Sequence, residues 1–290
     1  MGKQGLHIPY IHEEGVMGKW RLIIALWSIL TWMPASHSVA QGQDPHAAHG
    51  IHPAEAPTKA FQAKLSIPKG IRPGESFAIA IDIQDGMRRQ VPEFDLFQEK
   101  LMHLILVSDD LAYFSHLHPE YRGNGRFQTS TVLPAAGGYT LFCDYQPAGA
   151  GEQISVLKLR MQGTEKSEDA ADPNRGEQTL QDLRVRMIVS PATFKANDEI
   201  AITFDLKRLD GSPVTGLEPY LGEKGHLVVI KKSAPLTDKD YIHAHAMRGG
   251  PASQIAFSTR FPSQGLYKLW CQFNNQGRIL TADFWIKVER

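Results

Sequence analysis

The chain has 290 residues, with Lys+Arg and Asp+Glu each totalling 31. That length suits one or two domains, and the composition is ordinary for a globular protein. With no net charge the chain offers no basic field to hold nucleic acid or an anionic membrane, which excludes polyanion binding as its main role.

The first predicted element is an export signal over residues 1–40. Lys19 and Arg21 precede the apolar run "LIIALWSILTW", and "SHSVA" ends at Ala40. A basic flank, an apolar stretch of roughly 7–15 residues and a small-x-small ending describe a cleavable signal peptide rather than a bilayer span of about 20 residues. Met17 is an alternative start, because the residues before it are long and acidic for such a flank, and an uncleaved anchor is the alternative to cleavage. Export predicts a periplasmic or secreted protein in an oxidising compartment, with no membrane span after cleavage. Residues 41–59, "QGQDPHAAHGIHPAEAPTK", lack core residues and read as a flexible arm carrying His46, His49 and His52.

Residues 60–162 carry short apolar segments: "SFAIAIDI", "LMHLILV", "RFQTSTVL", "GYTLFCDY" and "ISVLKLRM". Residues 163–179, "GTEKSEDAADPNRGEQT", have no aliphatic or aromatic core residue and read as a linker. Residues 180–290 then give "EIAITFDL", "GHLVVIK", "QIAFSTRF", "LYKLWCQF" and "LTADFWIKV". Roughly seven strands in about 100 residues, punctuated by Gly, Pro, Asn and Asp and without a helical period, predict an antiparallel sandwich. The expected fold is all-β: two tandem sandwiches of immunoglobulin-like or cupredoxin-like type, between which periodicity does not choose.

The two halves align with each other. "KLMHLILVSDD" matches "EKGHLVVIKKS", superposing His103 on His226. "YFSHLHP" matches "YIHAHAM", superposing His116 and His118 on His243 and His245. "STVLPAAGGYTLFCDY" matches "STRFPSQGLYKLWCQF", superposing Tyr139 on Tyr267 and Cys143 on Cys271. After Ala40 every histidine falls in the arm or in one of these two triads.

Side chains two apart on a strand share a face, so His116 and His118 project together, as do His243 and His245. Two imidazoles so placed reach one ion without backbone distortion. His103 lies in an apolar strand, where a buried ring needs a partner that a metal, a carbonyl or a carboxylate would supply. Alone, an H-x-H at a strand end is more often surface decoration; its recurrence in register with a third histidine favours metal binding. Imidazole suits Cu, Zn, Fe and Ni alike. Copper is preferred, with zinc as the alternative, because Met247 shares the strand parity of His243 and His245 and because the arm has a His-x-x-His-x-x-His spacing.

Cys143 and Cys271 leave three readings open: small buried hydrophobes, thiolate ligands joining the triad of their own copy, or a Cys143–Cys271 disulfide. The last needs Cα atoms within about 7 Å, which is awkward for equivalent core positions of separate domains. A blue-copper centre is not expected, since no histidine follows either cysteine in "DYQPAGAGEQ" or "QFNNQGRIL". A cupin site fares little better, because "HLHPE" has a downstream acid that "HAHAM" lacks.

The segments "HLILVSDDLAYFSHLHPE", "LPAAGGYTLFCDYQP" and "GSPVTGLEPYLGEKGHLVVI" resemble those of secreted bacterial proteins with a YtkA-like domain and, more loosely, CopC-like copper-binding sandwiches. The resemblance covers about Phe61 to Val288. It implies a sandwich fold and an association with heavy-metal handling; only the histidine positions carry over, and the two cysteines depart from the pattern.

The expected function is therefore a non-enzymatic, exported metal-binding protein serving copper resistance, buffering or delivery. It would have one histidine-rich site per repeat, and a metal transporter or another periplasmic protein as its partner. The alternative is a metal-independent interaction module built of tandem sandwiches. A metal-dependent enzyme is the weakest reading, as no carboxylate dyad, nucleophile motif or phosphate loop stands out.

Overall fold

The computed structural model describes residues 61–164 and 171–289, the side chain of His245 excepted. The export signal, the arm with His46, His49 and His52, and part of the linker lie outside these residues. Among the described residues no helix is long and apolar enough to cross a membrane.

The first repeat contains β1 (Gln62–Ser66), β2 (Ser76–Gln84), β3 (Met102–Ser108), β4 (Phe114–Leu117), β5 (Glu120–Tyr121), β6 (Arg126–Val132), β7 (Gly137–Tyr145) and β8 (Gln153–Met161). They form two antiparallel sheets, ordered β1-β2-β6-β5 and β4-β3-β7-β8. In immunoglobulin lettering this is A-B-E-D against C′-C-F-G, which decides the topology left open between immunoglobulin-like and cupredoxin-like. Tyr139, near the start of β7, donates its hydroxyl to Ala135 O at 2.8 Å, and Tyr267 in the second repeat does the same to Ser263 O at 2.7 Å. Both are the tyrosine corner of that fold.

The second repeat contains β9 (Glu177–Leu180), β10 (Leu183–Ser190), β11 (Glu199–Arg208), β12 (Leu217–Glu218), β13 (His226–Lys231), β14 (Tyr241–His245), β15 (Gln254–Arg260), β16 (Gly265–Asn275) and β17 (Arg278–Val288). The order β15-β11-β10-β9 opposes a sheet in which β14, β13, β16 and β17 are successive neighbours. The stretch expected to be linker is therefore not uniform. Its last residues begin β9, and Arg175 bonds both the backbone and the carboxylate of Asp283.

The outer strands alternate as a one-sided sheet requires, with β2 burying Phe77, Ile79 and Ile81 into the first core. The inner strands do not alternate. Every residue from Met102 to Val107 in β3, and from His226 to Ile230 in β13, is buried. Continuous apolarity of this kind marks a sheet covered on both faces. One face of β3 and β7 presents Leu104, Leu106, Leu141 and Cys143 to the first core. The other presents Ile105, Val107 and Phe142 to Val228, Ile230, Tyr241 and Trp270 of the second repeat, which together form a third core.

That third core is self-complementary. Phe114 stacks on Trp270 with centroids 4.8 Å apart, and Phe142 stacks on Tyr241 at 5.0 Å. Phe114 and Tyr241 are equivalent in the two repeats, as are Phe142 and Trp270, so each contact is repeated with partners exchanged. This is the logic of a two-fold interface, here within one chain. Each aromatic pair contributes about 0.5–1.5 kcal/mol beyond its buried area.

Trp270→Ala should lower the unfolding free energy by about 3–5 kcal/mol in denaturant titrations. A loss below about 1 kcal/mol, ordinary for a surface site, would contradict a buried inter-repeat core.

Candidate metal centre

Strand register decides which side chains meet. His103 pairs with Asp144, and Ile105 pairs with His116 and with Phe142, so these residues share the face turned toward the other repeat. In the second repeat Val228 pairs with His243 and Trp270, and His226 with Gln272, which places them on the corresponding face. The histidines of the two repeats therefore belong to one interface. His103 lies with its ring centroid 5.3 Å from that of His243 and 6.3 Å from that of His226; His116 lies 5.9 Å and 6.2 Å from the same two rings.

Within the first repeat, one ligand atom from each of His103, His116 and His118 falls within 4.8 Å of the others. The outer hydrogen bonds fix which nitrogens these are. Phe97 O lies 3.0 Å from His103 Nε2, and a carbonyl can only accept, so Nε2 carries the proton and Nδ1 the lone pair. Gln272 Oε1 lies 2.7 Å from His116 Nδ1 while the same amide donates to Thr281, so His116 carries its lone pair on Nε2. Those two lone pairs, on His103 Nδ1 and His116 Nε2, are 3.0 Å apart. Beside them the buried Nε2 of His118 has no hydrogen-bond partner.

The second repeat reproduces the pattern. His226 donates Nε2–H to Tyr220 O at 2.9 Å, and His243 Nδ1 lies 3.1 Å from Asp144 Oδ2 of the first repeat, leaving Nδ1 of His226 3.4 Å from Nε2 of His243. Asp144 Oδ2 also accepts from the Tyr241 hydroxyl at 3.3 Å. Each repeat thus anchors the other's histidine: Gln272 holds His116, and its counterpart Asp144 holds His243.

Burial keeps the rings neutral. It lowers His103 to about 4, with the Lys100 cation adding to the effect and the Phe97 carbonyl opposing it. Burial and then the neighbouring His103 lower His226 to about 4. His118 falls to about 3 through burial, His103 and Lys100, and His116 is lowered by burial and by His103 and His118. Asp144 is raised well above the carboxylate range, first by burial and then by Glu152.

Neutral imidazoles with the outer N–H held by a carbonyl, amide or carboxylate are the arrangement metal-ligating histidines adopt. Two nitrogens each bound to one ion at about 2.0–2.1 Å sit about 2.8–3.4 Å apart at tetrahedral or right angles. The 3.0 and 3.4 Å separations match that range. The donor set therefore fits a late first-row ion.

Sequence reasoning missed the turns that supply the two carbonyls. Phe97 and Tyr220 each stand six residues before the strand histidine and open a two-residue turn with both central residues at positive φ, Gln98 and Glu99 in one and Leu221 and Gly222 in the other. Such turns suit Gly and Asn and cost about 1–3 kcal/mol per strained residue elsewhere. They bring the Phe97 ring edge-on to His103 and the Tyr220 ring edge-on to His226. The recurring aromatic-x5-His spacing was the available signal.

Other expected ligands are not at this centre. Cys143 pairs with Leu104 and Cys271 with Leu227, which turns both thiols to the opposite sheet face. They are fully buried in separate cores, unbridged, and burial raises both thiols. Of the three readings, thiolate ligation and the disulfide give way to the small buried hydrophobe. Met247 lies beyond the end of β14 and is half exposed, so shared parity on that strand does not extend to it.

The lowered histidine values set a pH response for the metal-free protein. An unfolded chain takes up histidine protons near pH 6.5, whereas these folded rings resist until about pH 4 to 3. Stability should be full above about pH 6.5 and fall as pH drops toward 4, because the unfolded state then binds more protons. Melting temperature measured across that window tests it; a flat or rising profile on acidification would contradict the neutral cluster, in which Lys100, Asp144 and Glu152 are the neighbouring titratable groups.

No curated protein matches the chain. Among solved structures, the Escherichia coli adhesin FdeC is similar at 16% identity over 79% of this chain and 64% of its own, with a TM-score of 0.27. A Salmonella alpha-2-macroglobulin mutant is similar at 13% identity over 81% of this chain and 15% of its own, with a TM-score of 0.28. A two-domain fibronectin type III segment of chicken tenascin matches at 11% identity over 79% of this chain and 100% of its own, with a TM-score of 0.23. The chain spans less than two thirds of the first two, and the fold assignment rests on strand order. A family model matches residues 56–158 and again residues 178–290, one match per repeat, and the chain belongs to the family described as Domain of unknown function (DUF8832).

Proposed function

We propose that this protein is a non-enzymatic metal-binding protein whose ion sits at the junction of its two repeats, with copper as the preferred ion and zinc as the alternative. The observation that carries this reading is the pair of lone pairs on His103 Nδ1 and His116 Nε2, held 3.0 Å apart by hydrogen bonds on the far side of each ring. Neutral nitrogens facing each other repel, and a cation between them converts that repulsion into two bonds. An all-imidazole set follows the general order of divalent affinities, in which Cu(II) stands highest.

The resemblance of the histidine segments to secreted heavy-metal-associated sandwiches supports the same reading, as does the export signal read in residues 1–40. In a periplasmic or extracellular setting the protein would buffer or deliver the ion to a transporter or another exported protein. Its non-enzymatic character is part of the proposal, since His103, His226 and His243 are buried beside Phe97, Tyr220 and the inter-repeat core.

Equilibrium dialysis of the full chain against Cu(I), Cu(II) and Zn(II) should show binding tighter than about micromolar for at least copper. Gln272→Leu, which removes the group holding His116, should weaken that binding by about 10–100-fold. No binding of any of these ions at micromolar levels, together with melting unchanged by chelators, would favour the metal-independent interaction module instead.

A further inference from the structure

The three imidazoles of the first repeat close on one another but are not held alike. His103 lies on β3 and His116 on β4, both inside paired strands, and each has its outer nitrogen fixed, one by the Phe97 carbonyl and the other by the Gln272 amide. His118 follows Leu117, the last paired residue of β4, on the short crossover that carries the chain to β5 in the opposite sheet. Among the described residues no hydrogen bond holds either of its ring nitrogens. Its Nε2 is nonetheless buried beside the other two, with ring centroids 4.6 Å from His116 and 5.0 Å from His103.

A partner on the far nitrogen of a ligating histidine fixes the ring and makes it a better donor, and losing one typically costs about 10–100-fold in metal affinity. His103 and His116 have such partners and His118 has none, so His118 is the weakest donor and the freest ring of the three. Position adds to this. His103 is fully buried whereas His118 is partly exposed, so a molecule arriving from solvent meets His118 first. Three protein nitrogens also leave one of the four positions usual for such an ion open to an incoming donor.

We infer that His118 is the exchangeable ligand of this centre: His103 and His116 retain the ion, and it enters and leaves on the side of His118 by direct exchange with a donor carried by the receiving molecule. This rests on the metal-binding reading above. In the exchange the bond from the incoming donor to the ion forms and the bond from His118 breaks. His118 is a neutral imidazole before and after, so no proton or electron is transferred.

The test uses the full chain with His46, His49 and His52 changed to Ala, so that the arm contributes no copper. The metal-free protein is loaded with one equivalent of Cu(II), and transfer to EDTA is followed by visible absorption in stopped flow. The transfer rate should rise in proportion to EDTA concentration. His118→Ala, checked for folding by circular dichroism, should retain one copper per chain and hand it over about tenfold faster or more, and His116→Ala should lose about tenfold more affinity than His118→Ala in equilibrium dialysis. A rate independent of EDTA concentration would overturn the inference, because the ion would then leave before its acceptor arrives. Transfer from His118→Ala at the parent rate, loss of copper from a folded His118→Ala, or equal losses of affinity in the two variants would also overturn it. Each of these leaves the metal-binding reading intact, whereas a parent chain that takes up no copper overturns both.

Discussion

Two imidazole nitrogens, each left with a lone pair because an acceptor on the far side of the ring holds the ring's one N–H, face each other at 3.0 Å between β3 and β4. Much of the surrounding structure maintains that unfavourable contact. Burial denies the rings a proton, since charging them costs more inside the interface than in water. The Phe97 carbonyl denies one nitrogen its freedom of tautomer, and Gln272 does the same for the other. The strained turn at Gln98 and Glu99 supplies the carbonyl, and the inter-repeat core brings Gln272 within reach. Strain and lone-pair repulsion of this kind are retained where they pre-organise a site.

The duplication explains how a chain of ordinary sandwiches arrives at such a centre. Each repeat has an inner sheet apolar on both faces, so neither repeat alone could hide its second face from water. Packing the two inner sheets together buries Phe114, Phe142, Tyr241 and Trp270 and sets the histidines face to face at one end of the contact. Exchange of partners runs through the whole interface, from the aromatic stacks to the anchors Asp144 and Gln272. The symmetry is broken at those anchors, where a carboxyl stands in one repeat and an amide in the other. The two halves are therefore built alike but not electrostatically equal.

Much of this was legible in the residues and some was not. The repeat, the all-β class and the register of His103, His116 and His118 against His226, His243 and His245 follow from self-alignment, because a histidine holding position among changing apolar neighbours stands out. "LMHLILV" also carried, in its lack of alternation, the information that both faces of β3 are covered. What covers the second face is a property of tertiary packing, and no periodicity within one repeat encodes its partner. The cysteines misled for a related reason. Their chain positions are equivalent and exported proteins pair cysteines, yet one residue of offset from Asp144 and Gln272 turns each thiol to the far side of the sheet. Asp144 and Gln272 themselves were superposed in the alignment, but an acid and an amide do not announce a shared role until the histidines they hold are seen.

A metal bound as proposed would lie between the repeats, held by nitrogen and remote from both thiols. An anomalous difference map at the copper absorption edge, from crystals of the full chain grown with copper, would locate it. Density is expected among the His103, His116 and His118 nitrogens, on the side facing His226 and His243. Density confined to Met247, to either cysteine or to the arm, with the inter-repeat histidines left bare, would contradict it.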